Sequence, residues 1–138
     1  MKIEVIHEHD TNTYDALVSG VREYNKQKLA GEVSQPLSVV LRDDNQTVIG
    51  GVAGRTIYQT FFIEVLWVDE IARGQGIGRR LMELAETEAI NRGCVMAQVD
   101  TLAVQAPDFY QSLGFDVIGI ASGITLDHDR YFLKKSYI

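Results

Sequence analysis

The sequence contains few residues of the kinds that define several common protein classes. Its 138 residues include one cysteine, two prolines and three histidines. The single cysteine, Cys94, cannot form a disulfide within the chain, which excludes a disulfide-stabilised scaffold and suits a reducing compartment. We interpret it as a small buried residue at the start of a strand. The histidines and the cysteine show no metal-ligand spacing, so we predict no metal site.

Positive charge and long apolar runs are also scarce. Lysine and arginine total 13 against 19 acidic residues, a formal net charge of -6. This balance disfavours nucleic acid or an anionic membrane as partner and is compatible with a cationic, amine-bearing substrate. No apolar run is long enough to span a bilayer, and the start, MKIEVIH, lacks the pattern of a signal peptide. We therefore expect a cytoplasmic protein.

The patterning predicts one α/β domain over residues 1–138. Hydrophobic residues make up 46% of the chain, and no repeat or linker divides it. The periodicities predict the order β-α-β-β-β-α-β-α-β-β, a mixed sheet with at least one right-handed crossover. The predicted strands are 2–7, 37–43, 47–58, 61–68, 95–102, 115–122 and 130–138. The predicted helices are 11–30, from about 77 to 92, and 106–113, the first with Thr11 or Asn12 as N-cap.

A glycine-rich loop between a buried strand and a helix is the most informative segment. It reads Arg73-Gly74-Gln75-Gly76-Ile77-Gly78, followed by Arg79 and Arg80. The first N–H groups of a helix have no partner within the helix, and the helix dipole makes this end positive. Glycines let the main chain approach a ligand closely. The segment therefore predicts an anion site, most naturally for a pyrophosphate.

Two familiar nucleotide motifs do not fit this loop. A dinucleotide fingerprint, G-x-G-x-x-G, would need glycine at Arg79 or Leu81. A P-loop, G-x-x-x-x-G-K-[ST], would need lysine at Arg80. Neither a dinucleotide fold nor a nucleoside triphosphatase is predicted.

The sequence resembles the GCN5-related N-acetyltransferase family. Residues 73–78 fit that family's [RQ]-x-x-G-x-[GA] signature, and residues 109–115, FYQSLGF, are similar to its F-Y-x-x-x-G-F segment. The order of elements also agrees, so the resemblance covers nearly the whole chain. It implies a centrally splayed mixed β-sheet flanked by helices, as in acyl-CoA N-acyltransferases.

The resemblance implies acetyl-CoA as co-substrate. The pyrophosphate would lie on the loop amides, and the pantetheine arm would run along the strand ending at Val68, where two strands separate and expose backbone groups. A main-chain N–H near residues 66–68 would then bind the oxyanion. The implied cofactor-binding residues are Leu66, Trp67, Val68, Arg73, Gly74, Gln75, Gly76, Ile77, Gly78 and Arg79.

Two side chains are candidate catalytic residues for direct attack of an amine on the thioester. By the resemblance, Tyr110 occupies the position that faces the CoA sulfur, where a phenol can donate a proton to the departing thiolate. Glu64 is a lone carboxylate in the apolar strand FFIEVLWV. If it were buried its pKa would rise, as a base working near neutral pH requires. Each also has a structural interpretation, as a core tyrosine and as an exposed or ion-paired strand residue.

Several points stay open in the sequence. Many family members have an asparagine seven residues before the tyrosine, where this chain has Ala103, with Gln105 nearby. His128 lies before the last strand, where a solvated turn is the simpler interpretation. The acceptor, a small-molecule or peptide amine, has no motif. A homodimer through residues 131–138 as an edge strand is possible. An acyl-CoA-binding sensor without turnover is the alternative function.

Overall fold

The computed structural model describes residues 1–29, 31–103 and 107–138. The chain divides into two compact units, Met1–Glu32 and Val33–Ile138. The prediction of one domain therefore stays a prediction.

The first unit contains helix α1, Thr11–Lys28. Its N-cap is Asp10, whose carboxylate accepts hydrogen bonds from the N–H groups of Asn12 and Thr13. The expectation of Thr11 or Asn12 as N-cap is wrong by one or two positions. A carboxylate at Asp10 can satisfy two of the unpaired N–H groups, and Thr11 then becomes the first helical residue.

The strand predicted at residues 2–7 is not formed. These residues have no regular secondary structure, and Ile3 and Val5 are exposed. Alternation of apolar and polar residues specifies which side chains share a face. A strand also needs a neighbouring backbone to complete its hydrogen bonds, and the described residues supply none here.

The second unit is a six-stranded mixed sheet that carries two helices. The strands lie in the order β1-β2-β3-β4-β6-β5. They are β1 (Gln35–Arg42), β2 (Val48–Ile57), β3 (Thr60–Val68), β4 (Met96–Leu102), β5 (Asp116–Ala121) and β6 (Arg130–Ser136). The helices are α2 (Ile77–Asn91) and α3 (Pro107–Ser112). The predicted mixed α/β fold is confirmed, although the elements begin and end a few residues from their predicted bounds.

Helix α2 packs against the sheet through an apolar face. Met82, Ala85 and Ala89 are fully buried in the core cluster, beside Leu81. Leu84, by contrast, is 53% exposed. At 3.6 residues per turn the face centres between Leu81 and Met82, so Leu84 lies on the opposite side of the helix.

Strands β3 and β4 separate part of the way along the sheet. They are parallel and pair at Thr60–Met96, Phe61–Ala97 and Phe62–Gln98. Strand β3 then continues to Val68, still paired with β2 on its other side. Beyond Phe62, backbone groups of β3 directed toward β4 therefore have no ladder partner there. This opening is the predicted central splay.

The last strand is an interior strand. Strand β6 pairs antiparallel with β4 on one side and with β5 on the other. The expectation that residues 131–138 form an edge strand for dimerisation is therefore wrong. Strands β5 and β6 form a hairpin that joins β4 through its second strand, which leaves β5 at the edge.

Candidate active site

The glycine loop follows β3 directly and leads into α2. A short 3-10 helix, Glu70–Ala72, comes first, and the Asp69 carboxylate caps it by accepting the N–H of Ile71 at 3.1 Å. Gly74 and Gly76 then adopt φ angles of 76° and 74°. These left-handed conformations are costly for residues with a Cβ. A Cβ added at either glycine would meet no atom within 4 Å, so the space in front of the loop is open.

The N-terminus of α2 has the properties of an anion site. Gly76 is its N-cap and makes no side-chain cap, so the first N–H groups are not satisfied by a capping side chain. Beside it lies a cavity of about 390 Å³. Its lining residues are Val68, Ala72, Arg73, Gly74, Gly76, Ile77, Gly78, Arg79 and Phe109. Seven of the ten predicted cofactor residues thus meet here, and Gln75 is exposed in the same loop.

Two arginines of the loop region make contacts that hold its ends. The Arg73 Nε donates to the carbonyl oxygen of Val68 at 2.9 Å. The Arg79 guanidinium donates to the hydroxyl and carbonyl oxygens of Ser112 at 3.4 and 3.5 Å. These bonds join the loop to the end of β3 and to α3. Both side chains remain exposed and keep their positive charge beside the cavity.

Gly78 has a packing role that the sequence did not indicate. A Cβ at this position would lie 3.2 Å from Cζ of Phe109. Glycine therefore lets the Phe109 ring sit against the first turn of α2. Phe109 in turn contacts Tyr110, with ring centroids 5.4 Å apart in an edge-to-face arrangement. The two sequence motifs are thus in direct contact through this ring.

A second cavity brings the predicted catalytic residues together with the end of β3. It has a volume of about 650 Å³. Its lining residues are Glu64, Val65, Leu66, Trp67, Val68, Arg73, Gly78, Val99, Asp100, Thr101, Phe109 and Tyr110. We call this cavity the cleft. It lies where β3 and β4 have separated, and Val68, Arg73, Gly78 and Phe109 line both cavities.

Tyr110 is buried, yet it lines the cleft. It is 6% exposed, and its ring packs edge-to-face against Phe115 at 5.7 Å. Burial, and secondarily the negative charge of Asp100, raises the pKa of the Tyr110 phenol above its ordinary value. The phenol is therefore protonated at neutral pH. Tyr110 is both a core residue and a possible proton donor to a group in the cleft.

Glu64 lines the cleft but is not buried. Its side chain is 56% exposed, and its Oε1 accepts a hydrogen bond from Arg55 at 2.7 Å. Arg55 also lies over the Phe62 ring, 5.2 Å from its centroid. The expected burial is absent, because alternation along β3 places Glu64 on the face opposite buried Phe61 and Ile63. Glu64 also has no Cα partner on β2 at the bulge between Ala53 and Gly54. A catalytic role for Glu64 stays a prediction.

Sequence reasoning missed Asp100, the second carboxylate of the cleft. It lies on β4, and its Oδ1 accepts a hydrogen bond from Arg130 at the start of β6. The available signal was the alternation in MAQVDTL, which gives Asp100 an exposed position between buried Val99 and Thr101. No motif marked it, because its closeness to Tyr110 depends on how the sheet and α3 meet.

Two of the remaining candidates, Ala103 and His128, do not line the cleft. Ala103 donates its N–H to the carbonyl oxygen of Asp129 at 2.9 Å. Gln105 lies outside the described residues, so its suggested replacement of the missing asparagine stays a prediction. His128 is exposed, and its carbonyl oxygen accepts the Thr125 N–H at 3.2 Å, as in a solvated turn. In the described ranges, no three His, Cys, Asp or Glu residues could hold a metal ion, and no helix is long and apolar enough to cross a membrane.

Comparison with known proteins agrees with this geometry. The chain belongs to the acetyltransferase (GNAT) family, whose model matches residues 4–115. It is 30% identical to acetyltransferase Atu2258 of Agrobacterium fabrum over 93% of both chains. It is 45% identical to blasticidin-S acetyltransferase of Streptomyces morookaense over 48% of this chain and 49% of that protein. A crystal structure from Agrobacterium tumefaciens, assigned as an acetyltransferase, has a TM-score of 0.90 at 29% identity and covers 99% of both chains.

Proposed function

We propose that this acetyltransferase moves an acetyl group from acetyl-CoA to a primary amine within a ternary complex. The observation that carries the proposal is the joining of three features at one opening of the sheet. The uncapped N-terminus of α2, the unpaired side of β3 and the buried phenol of Tyr110 all border connected cavities. Their order matches a ligand with a pyrophosphate, an amide-bearing arm and a thioester.

The glycine loop supports the pyrophosphate end of acetyl-CoA. Amide N–H groups from Gly74 to Arg79 would bind the phosphate oxygens, with favourable charge from the helix dipole. Arg73 and Arg79 would add positive charge without moving far, since hydrogen bonds already restrain both side chains. The open space in front of Gly74 and Gly76 is where phosphate oxygens would approach the backbone.

The separated part of β3 supports the pantetheine arm. Every second residue of a strand directs its N–H and C=O to the same side. Beyond Phe62, those groups on the β4 side have no strand partner there. Residues 66–68 would supply them to the pantetheine amides, which form strand-like hydrogen bonds. One N–H of this segment would also bind the oxyanion of the tetrahedral intermediate.

The reaction needs few groups, because the thioester is already activated. The acceptor ammonium loses a proton, and the free amine attacks the acetyl carbon to form a C–N bond. The C–S bond then breaks, and Tyr110 donates a proton to the departing thiolate. The nitrogen of the new amide loses its second proton, which returns to the Tyr110 phenolate directly or through water. Glu64, exposed and fixed by Arg55, would accept the amine proton directly or through a bound water. Holding both reactants in one cleft supplies much of the acceleration.

The proposal identifies the acceptor only by its chemical class. The net charge of -6 and the two cleft carboxylates support a cationic amine on a small molecule or peptide. Blasticidin S enters the set of candidate acceptors through the partial match to its acetyltransferase. The single cysteine supports a cytoplasmic location.

The test is a CoA-release assay with purified protein and a panel of amines. The panel holds diamines, amino acids, aminoglycosides, blasticidin S, and peptides with free N-termini or lysines. We expect turnover on at least one member, with a product mass increased by one acetyl group. Tight acetyl-CoA binding without turnover on any amine would instead support the sensor alternative.

Thermal unfolding tests the co-substrate separately. Saturation at about 100 times the Kd stabilises a folded protein by about 2.7 kcal/mol. We therefore expect the Tm to rise by several degrees with acetyl-CoA and to stay unchanged with ATP or NAD. Stabilisation by ATP but not by acetyl-CoA would refute the proposal.

A further inference from the structure

We propose that Asp100 binds the ammonium group of the acceptor amine, on the side of the sheet opposite α2. The inference rests on the amine acetylation proposed above and adds a residue that determines acceptor affinity. Its basis is the position of Asp100 in the sheet, its place in the cleft and its hydrogen bond to Arg130.

The two faces of β4 assign different sides to the two substrates. Ala97, Val99 and Thr101 are buried, and the first two belong to the same core cluster as α2 and Tyr110. Side chains alternate along a strand, so Asp100 projects to the other face. The helix that supports the pyrophosphate and the phenol that faces the sulfur are thus on one side. Within the second unit, Asp100 is exposed on the other side, where an acceptor would approach it.

The separation of β3 and β4 connects the two sides. Residues from both faces of β4, Val99 and Thr101 as well as Asp100, line the cleft. An amine held by Asp100 can therefore reach a thioester that lies along β3. An acceptor on the closed part of the sheet could not, because the strands there are hydrogen-bonded at Phe62 and Gln98.

Arg130 holds the Asp100 carboxylate in place but leaves one of its oxygen atoms able to accept a hydrogen bond. The hydrogen bond from Arg130 engages Oδ1 of Asp100. A carboxylate has two acceptor oxygens with about four lone-pair sites, so Oδ2 can accept a hydrogen bond from an ammonium. Asp100 is among the described residues that line the cleft, and Arg130 is not. The ion pair is 40% exposed on both sides, where such pairs contribute little to stability.

The position of Arg130 also places Asp100 near the loop between β5 and β6. Arg130 begins β6 directly after the exposed segment 122–128, and it pairs in register with Leu102 of β4. The Asp129 carboxylate accepts the Gly123 N–H at 3.2 Å and closes this segment at its base. An ammonium at Asp100 would thus place the rest of the acceptor beside residues 122–128.

The experiment compares three variants of the full chain in steady-state kinetics with the best amine from the panel. Asp100→Asn removes the charge, and Arg130→Gln breaks the same ion pair while keeping the carboxylate. Asp116→Asn, an exposed carboxylate on β5, is the control for net charge. Thermal unfolding of each variant measures any structural effect.

We expect Asp100→Asn to raise the KM of the amine about tenfold, the effect of losing one charge-assisted hydrogen bond. The kcat and the KM of acetyl-CoA should stay within about threefold, since Asp100 contacts neither reacting bond. Arg130→Gln should leave the amine KM within about threefold or lower it, and Asp116→Asn should change nothing. The salt dependence of kcat/KM should weaken in Asp100→Asn alone.

Three results would overturn the inference. Equal increases of amine KM in Asp100→Asn and Arg130→Gln would show that the ion pair acts only structurally. A lower kcat with unchanged amine KM in Asp100→Asn would assign Asp100 to the chemical step instead. No turnover by the unmodified protein on any amine would refute the proposed function and this inference with it, a result distinct from the first two.

Discussion

Replacing Tyr110 with phenylalanine removes one hydroxyl from the cleft and keeps the ring that packs the core. The edge-to-face contacts with Phe109 and Phe115, at 5.4 and 5.7 Å between centroids, involve the ring alone. The variant should therefore fold. A lost buried hydroxyl changes the free energy of unfolding by about 1 kcal/mol. The acetyl-CoA Kd should be nearly unchanged, because the proposed contacts to the cofactor come from the loop amides and β3.

The expected loss in turnover follows from the environment of the phenol. General acid catalysis contributes about 100-fold to 10,000-fold. Burial and the charge of Asp100 raise the pKa of Tyr110, which makes the phenol a weaker acid. A thiolate, whose conjugate thiol has a pKa of about 8.5, also leaves with little assistance. We therefore expect the lower end, about 100-fold in kcat, or about 2.7 kcal/mol of transition-state stabilisation.

The pH profile gives a second readout with a definite sign. A raised pKa means that Tyr110 keeps its proton throughout the range below about pH 10. The kcat of the unmodified protein should therefore show no alkaline fall from Tyr110 below that pH. The free energy of unfolding depends on pH in the same direction. The contribution of the protonated Tyr110 phenol is complete below about pH 10 and is lost as the pH rises through the higher folded-state pKa.

The assay is single-turnover acetyl transfer, which isolates the chemical step from product release. Tyr137→Phe is the matched control, because Tyr137 is a second tyrosine whose pKa burial raises, and it does not line the cleft in the described residues. Unchanged single-turnover rates in Tyr110→Phe, or an equal loss in Tyr137→Phe, would refute the role assigned to Tyr110. It would then be a core residue only.

Three further substitutions test the loop and the core. Gly76→Val should weaken acetyl-CoA binding at least tenfold in calorimetry, because valine is strained at φ 74° and its side chain enters the open space of the anion site; equal affinity would remove that site. Gly78→Ala should lower kcat with little change in the free energy of unfolding, since its Cβ would lie 3.2 Å from the Phe109 ring and displace it. Unchanged kinetics would show that this ring shifts freely. Lys135→Met should destabilise the fold by about 2–3 kcal/mol in urea unfolding, because Glu86, 6% exposed and bonded to Lys135 Nζ at 3.1 Å, loses its partner. Adding Glu86→Gln should recover part of this loss. No recovery would contradict the idea that the unpaired Glu86 charge causes the destabilisation.

The predicted fold was reliable where a local pattern has a local cause. The glycine loop and the helix after it follow from backbone conformations that nearby residues determine, such as the positive φ angles of Gly74 and Gly76. The family resemblance placed Tyr110 in the same site as the loop, and the structure brings both to one opening.

Errors occurred where the outcome depended on a distant partner. The alternating residues 2–7 form no strand, because alternation cannot supply the neighbouring backbone. The carboxylate of Glu64 is exposed, and its hydrogen-bond partner, Arg55, comes from the neighbouring strand β2. Alternation indicated that Asp100 is exposed, but no motif marked it, since its partner Arg130 is thirty residues away and its neighbour Tyr110 lies on a different element.

The sequence by itself determined the family, the anion-binding loop and the residue types available for acyl transfer. These are properties of contiguous segments, in which the local backbone conformation determines how neighbouring residues are placed. Only the tertiary structure decided which carboxylates share the cleft and which arginine is bonded to each of them. Those properties depend on where β3 and β4 separate, because that opening brings residues of both strands and of α3 to one cleft.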